Sequence, residues 1–167
     1  KELHSFILNI KNVYKRTLNN PQVLEKDYNT VYGRIVLTLE FLEDLNVPED
    51  GIFCSSIPEY GIPGGEKIFD FLRGQFDTYD LHVIFVLSKN YYNSIASLNE
   101  MGAAWVLKNE YTSILLPKFE YQEIDGAVNP NKIGMKLDDD DELLKKRLGE
   151  LKNIISEKFG ISVPDMR

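Results

Sequence analysis

Apolar residues recur along this chain in two rhythms, and each change of rhythm marks a new element. Leu3, Phe6, Ile7, Ile10, Val13, Tyr14 and Leu18 fall three or four apart, so residues 2–18 read as an amphipathic helix, stopped by Asn19-Asn20-Pro21. Such a helix either packs on its own domain or serves as a linker or oligomerisation helix. Val31, Ile35, Leu39 and Leu42 place a second helix over 28–45, and Gly51-Ile52-Phe53-Cys54 is a short buried strand. A loop rich in Ser, Pro and Gly follows from Ser55 to Gly65, and then Ile68, Phe69, Leu72 and Phe76 stripe a helix over 66–76. Leu81 to Leu87 is an almost unbroken apolar run, as expected of a strand covered on both faces. Further elements are a helix from about Ser94 or Ser97 to Lys108, a strand over Thr112–Leu116, a loop or short helix over 119–128, and a strand over Ile133–Leu137. A last helix opens at the acidic run Asp138–Asp141 and carries Leu144, Leu148, Leu151, Ile155 and Phe159. Strands alternating with helices predict an α/β fold, a parallel sheet with helices on both faces.

Composition narrows the function classes. The 167 residues suit one domain, and 43% hydrophobic content is enough to build a core without staples. Cys54 is the single cysteine, so no internal disulfide can form; this fits a reducing, cytoplasmic setting. No apolar run approaches membrane-spanning length, and no signal peptide is visible at Lys1. The net charge of −7 and the scattered Lys and Arg argue against nucleic acid as a partner. The acidic run 138–141 lacks the Gly and the terminal Glu of a calcium loop, and acids at a helix N-terminus explain it better.

In open α/β sheets ligands bind beyond the carboxyl ends of the strands. Three segments meet that condition: the loop after Cys54, the residues after Leu87 and the loop after Leu116. In the first, Ser55, Ser56, Tyr60, Ile62 and Pro63 belong to a loop too elaborate for a plain turn. It ends in Gly64-Gly65, which suits close backbone approach to a polar ligand. It is neither a phosphate-binding P-loop nor a dinucleotide fingerprint. The second runs from Ser88 through Tyr91, Ser94 and Ser97 to Glu100. Here Ser97-x-x-Glu100 has the spacing of a capping box, which would make Glu100 a helix cap. Alternatively, a carboxylate on the first turn faces the cleft and offsets positive charge as a glycosidic bond breaks. Gly102, Ala103 and Ala104 let the helix lie close to the sheet, and Trp105 reads as core. His4 and His82 flank no cysteine or carboxylate cluster, so no metal site is expected. Cys54 has no partner base in view and reads as a small buried hydrophobe.

These stretches together resemble a bacterial-type TIR (Toll/interleukin-1 receptor) domain over roughly residues 27–160. Ile52-Phe53-Cys54-Ser55-Ser56 with Gly61-Ile62-Pro63-Gly64-Gly65 resembles the family's second strand and its long BB loop. Phe85-Val86-Leu87-Ser88-Lys89-Asn90-Tyr91 followed by Ser94 resembles its strand–Ser–Asn–Tyr–Ser pattern, and Ser94 to Trp105 resembles the helix bearing the catalytic Glu. The resemblance implies a flavodoxin-like sheet of five parallel strands. It also implies cleavage of the nicotinamide–ribose bond of NAD, which is substrate and not cofactor, to ADP-ribose or a cyclic variant, in bacterial antiphage defence. Glu100 takes the catalytic position, and Ser55, Ser56, Tyr60, Ile62, Pro63, Ser88, Tyr91, Ser94 and Ser97 take substrate-side positions. Self-association through the TIR domain is implied as well, and the amphipathic 2–18 helix offers a second surface for it.

Two departures stand out. The family's Trp and Cys before the Glu are Ala96 and Ser97 here, which leaves stacking to Tyr91, Tyr92 or Tyr60. The family's first, central strand has only Gln22-Val23-Leu24-Glu25 to represent it before Asp27, so the expectation is that residues are missing near 24–27. The domain is accordingly expected over 27–162, with 1–26 as helix and linker. Two other function classes compete with the NAD-cleaving enzyme: a TIR module that only docks other proteins, and a nucleoside deoxyribosyltransferase-like enzyme, which also carries Glu before Gly and Ala on a helix.

Overall fold

The computed structural model describes residues 6–8, 31–54, 57, 60–61, 67–108, 110–132 and 134–162, with 6–8, 31–33 and 68–69 described as backbone. In chain order the elements are β1 (Phe6–Leu8), α1 (Val31–Asp44), β2 (Ile52–Cys54), α2 (Ile68–Thr78) and β3 (His82–Leu87). A short α3 (Lys89–Tyr92) precedes α4 (Ile95–Val106), and β4 (Glu110–Leu115), β5 (Met135–Lys136) and α5 (Asp141–Phe159) complete the chain. The strands form one sheet in the order β2-β1-β3-β4-β5, and every pairing is parallel.

The middle of that sheet corrects the reading of the N-terminal segment. Phe6–Leu8 is not helix; Ile7 sits in register with Phe53 on one side and Val83 on the other. The central strand therefore lies well before residues 24–27, and no missing stretch is needed to supply it. A boundary between 1–26 and 27–162 would cut through this sheet. The rest of the 2–18 stretch, and Gln22–Glu25, lie outside the described residues.

Strand alternation sorts the side chains into two cores. Ile84 and Val86 of β3 join Ile35, Leu39 and Leu42 of α1 and Leu151 and Ile155 of α5 on one face. Val83, Phe85 and Leu87 join Leu72 of α2 and Met101 and Ala104 of α4 on the other. All six residues of β3 are buried, which explains its unbroken apolar run. Trp105 was expected in the core but is 65% exposed.

The helix ends follow local chemistry. The Asp140 side chain accepts from the backbone N–H groups of Glu142 and Leu143, so the acidic run 138–141 starts α5. Gly160, at φ +59°, closes it in the left-handed conformation that glycine adopts without strain. No helix among the described residues is long and apolar enough to cross a membrane.

Candidate functional site

The chain leaves the carboxyl end of β3 through two serine caps in succession. Ser88 Oγ accepts from the Tyr91 N–H at 3.2 Å and starts α3; Ser94 Oγ accepts from the Ser97 N–H at 3.3 Å and starts α4. Each serine supplies the acceptor that the first turn of a helix lacks. Ser94 as the cap overturns the capping box read at Ser97-x-x-Glu100: Ser97 lies within the helix, and Glu100 falls in its second turn, not its first.

Tyr91 pins this elbow. It is buried, its hydroxyl donates to the Ser97 carbonyl at 3.1 Å, and its ring meets Phe85 and Tyr92 edge to face. Burial, reinforced by the negative charge of Glu100, pushes its phenol well above the usual tyrosine range and keeps it a neutral donor. Tyr92 stacks on Phe119, and its hydroxyl bridges the Asp125 carbonyl and N–H at 3.1 Å each, tying the loop after β4 to the same elbow.

Glu100 is only 6% exposed, a rare state for a carboxylate. It stands on the wall of a hollow of about 470 Å³ between α2 and α4. Leu72, Arg73, Phe76 and Asp77 line it from α2; Asn99, Gly102 and Ala103 line it beside Glu100 on α4, with Val106 and Leu107 at the far end. A side chain added at Gly102 would meet nothing within 4 Å, so the hollow is open above that glycine. Its size falls within the roughly 300–1,000 Å³ of small-molecule sites.

Of the described residues proposed as catalytic or substrate-binding from the sequence, Glu100 is the one that lines this hollow. Ser88, Ser94 and Ser97 cap or build helices, and Tyr91 is core. Tyr60 packs against the α1/α5 core and its hydroxyl donates to Glu43, on the opposite face from α4. Ser55, Ser56, Ile62 and Pro63 lie outside the described residues. Arg73, Phe76, Asp77 and Asn99 were not foreseen. Arg73, Phe76 and Asp77 sit three and four apart on one helix, a spacing visible in the sequence, but nothing there says that α2 faces α4.

A second hollow, of about 280 Å³, lies beside β4 under α5, where His82, Glu110, Lys132, Arg147 and Glu150 gather. His82 and Glu110 begin their strands, so this hollow reaches the amino ends of the sheet. His82 is buried; its Nε2 lies 2.9 Å from Thr112 Oγ1 and its Nδ1 3.9 Å from Glu110. Burial, with Lys158 nearby, lowers its pKa from 6.5 to about 4, so the ring is neutral at neutral pH. The described residues hold no cluster of three or more His, Cys, Asp or Glu arranged for a metal ion.

No family model matches the chain. Over 129 residues it is 36% identical to the uncharacterized protein YddK of Bacillus subtilis (strain 168), a match covering 77% of this chain and 46% of YddK. The chain thus spans less than half the length of that relative.

Proposed function

We propose that this chain is an NAD-consuming TIR-type domain that breaks the nicotinamide–ribose bond, with Glu100 as its catalytic residue. The carrying observation is a carboxylate 6% exposed on the wall of an open hollow, in a helix whose N-terminus Ser94 already caps. A carboxylate on the wall of a hollow, held out of bulk water, suits the stabilisation of positive charge. The strand order 2-1-3-4-5 is also that of flavodoxin-like sheets.

In this reading the bond between the ribose anomeric carbon and the nicotinamide nitrogen breaks, and its electron pair stays on the ring nitrogen, neutralising the pyridinium. Positive charge passes to the ribose, where Glu100 offsets it and holds the ribose hydroxyls. Water then bonds to the anomeric carbon and releases a proton to solvent, giving ADP-ribose; attack by the adenine of the same molecule gives the cyclic product instead. The setting would be cytoplasmic, in antiphage defence.

A non-catalytic docking module is the second reading. It is favoured by the apolar residues α4 leaves in water: Ile95 (79% exposed), Trp105 (65%) and Val106 (66%). Incubation with NAD at protein concentrations that permit assembly separates the two. Nicotinamide release that disappears in Glu100→Ala supports the enzyme; no release under any assembly condition leaves the docking module.

A further inference from the structure

We infer that the hollow beside Glu100 binds a nucleotide through its phosphates, with Arg73 as the phosphate-binding residue and Phe76 as an apolar surface beside it. This inference rests on the proposed NAD reading and adds to it the part of the substrate that the hollow recognises.

Three observations meet here. First, α2 and α4 both cross over between parallel strands, so both run antiparallel to the sheet and parallel to each other. Arg73 on α2 and Glu100 on α4 both line the hollow, one from each of the two helices that wall it. The hollow between them, of about 470 Å³, has room for a ribose and its attached phosphates. Second, Arg73 is the one cation among the described residues lining the hollow, whose other charged groups are Glu100 and Asp77. It is exposed and pairs with no carboxylate among the described residues, whereas Lys136, Arg147 and Lys158 all do. Third, half-buried Phe76 lies one turn beyond Arg73, and the open space over Gly102 leaves room opposite.

The chemistry is selective. A guanidinium presents a fork of N–H donors that matches phosphate oxygens. On a chain of net charge −7, an anionic ligand needs such a local cation to offset general repulsion. A nucleoside without phosphates lacks the group that Arg73 would hold, so the hollow should favour dinucleotides and nucleoside diphosphates over nucleosides.

The test is ADP-ribose binding by titration calorimetry to the wild type, Arg73→Gln and Arg73→Lys, with nicotinamide riboside as the phosphate-free probe. NAD turnover is measured in the same three proteins and in Glu100→Ala. Arg73→Gln should weaken ADP-ribose binding about tenfold or more and raise KM for NAD by a similar factor, with kcat within about twofold. Arg73→Lys should recover part of the loss. Added salt should weaken ADP-ribose binding to the wild type more than to Arg73→Gln. The inference is overturned if ADP-ribose binds Arg73→Gln as tightly as the wild type, or does not bind the wild type at all. Glu100-dependent turnover with an unchanged KM in Arg73→Gln removes Arg73 and leaves the NAD reading standing. ADP-ribose binding that depends on Arg73, without any nicotinamide release, removes the enzyme and leaves a nucleotide-binding domain.

Discussion

Glu100 and His82 are both ionisable side chains drawn out of water, at 6% and 3% exposure, yet their surroundings differ in kind. His82 is the first residue of β3, at the amino edge of the sheet, where Thr112 and Glu110 flank its ring and burial holds it neutral. Its environment removes the charge, which is the ordinary way for a fold to tolerate a buried titratable group. Glu100 stands in the helix that follows the carboxyl edge, beside a hollow whose opposite wall carries a cation and an aromatic ring. The contrast separates a buried group that the packing has neutralised from a buried carboxylate on the wall of an open hollow.

The comparison can be broken by substitution, and the largest effect belongs to Glu100. Glu100→Gln keeps the shape and removes the charge; NAD turnover should fall by on the order of 10²–10³-fold, with a melting temperature close to that of the wild type. A collapse of melting temperature instead, with residual activity in proportion to folded protein, would return Glu100 to a structural role.

His82 should show the opposite profile. Unfolded, its ring takes up a proton near 6.5; folded, not until about 4. Between those values the unfolded chain binds more protons, so the contribution is complete above 6.5 and is lost as pH falls toward 4, by on the order of 3 kcal/mol. Urea unfolding across that range should trace this decline, and His82→Leu should flatten it while Glu100-dependent turnover at neutral pH survives. An unchanged pH profile in His82→Leu would assign the acid sensitivity to other groups.

Smaller effects sharpen the picture of α4. Ser94→Ala removes the cap and should lower stability by about 1 kcal/mol in denaturant unfolding. If Ser97 were the cap, Ser97→Ala would carry that loss and Ser94→Ala would not. Trp105→Ser should change stability by no more than about 0.5 kcal/mol, because the indole is largely in water. A loss of several kcal/mol would place that ring in a core.

How much of this was legible in the sequence varies element by element. The apolar run Leu81–Leu87, the α1 stripe and the Asp-led start of α5 carry their structure in their own spacing, since burial and capping act over a few residues. Phe6-Ile7-Leu8 does not: three consecutive apolar residues satisfy a strand, but Leu3, Ile10, Val13 and Tyr14 around them satisfy a helix, and only pairing with β2 and β3 decides. The start of α4 was ambiguous between Ser94 and Ser97 because both can cap; the short α3 and the buried Tyr91 hydroxyl bond select Ser94. Trp105 misled because a large aromatic beside small residues usually packs inward, and the neighbouring Ala104 takes the buried position instead. Glu100 could be singled out from its motif, but Arg73 and Phe76 could not, because they meet it only once α2 lies beside α4.

The most direct measurement is a structure with an NAD analogue whose glycosidic bond cannot be cleaved. The nicotinamide-side ribose should lie with a hydroxyl about 3 Å from the Glu100 carboxylate, in the hollow between α2 and α4. An analogue seated beside His82 and Lys132, or anywhere that leaves Glu100 out of reach of its ribose, would contradict the assignment.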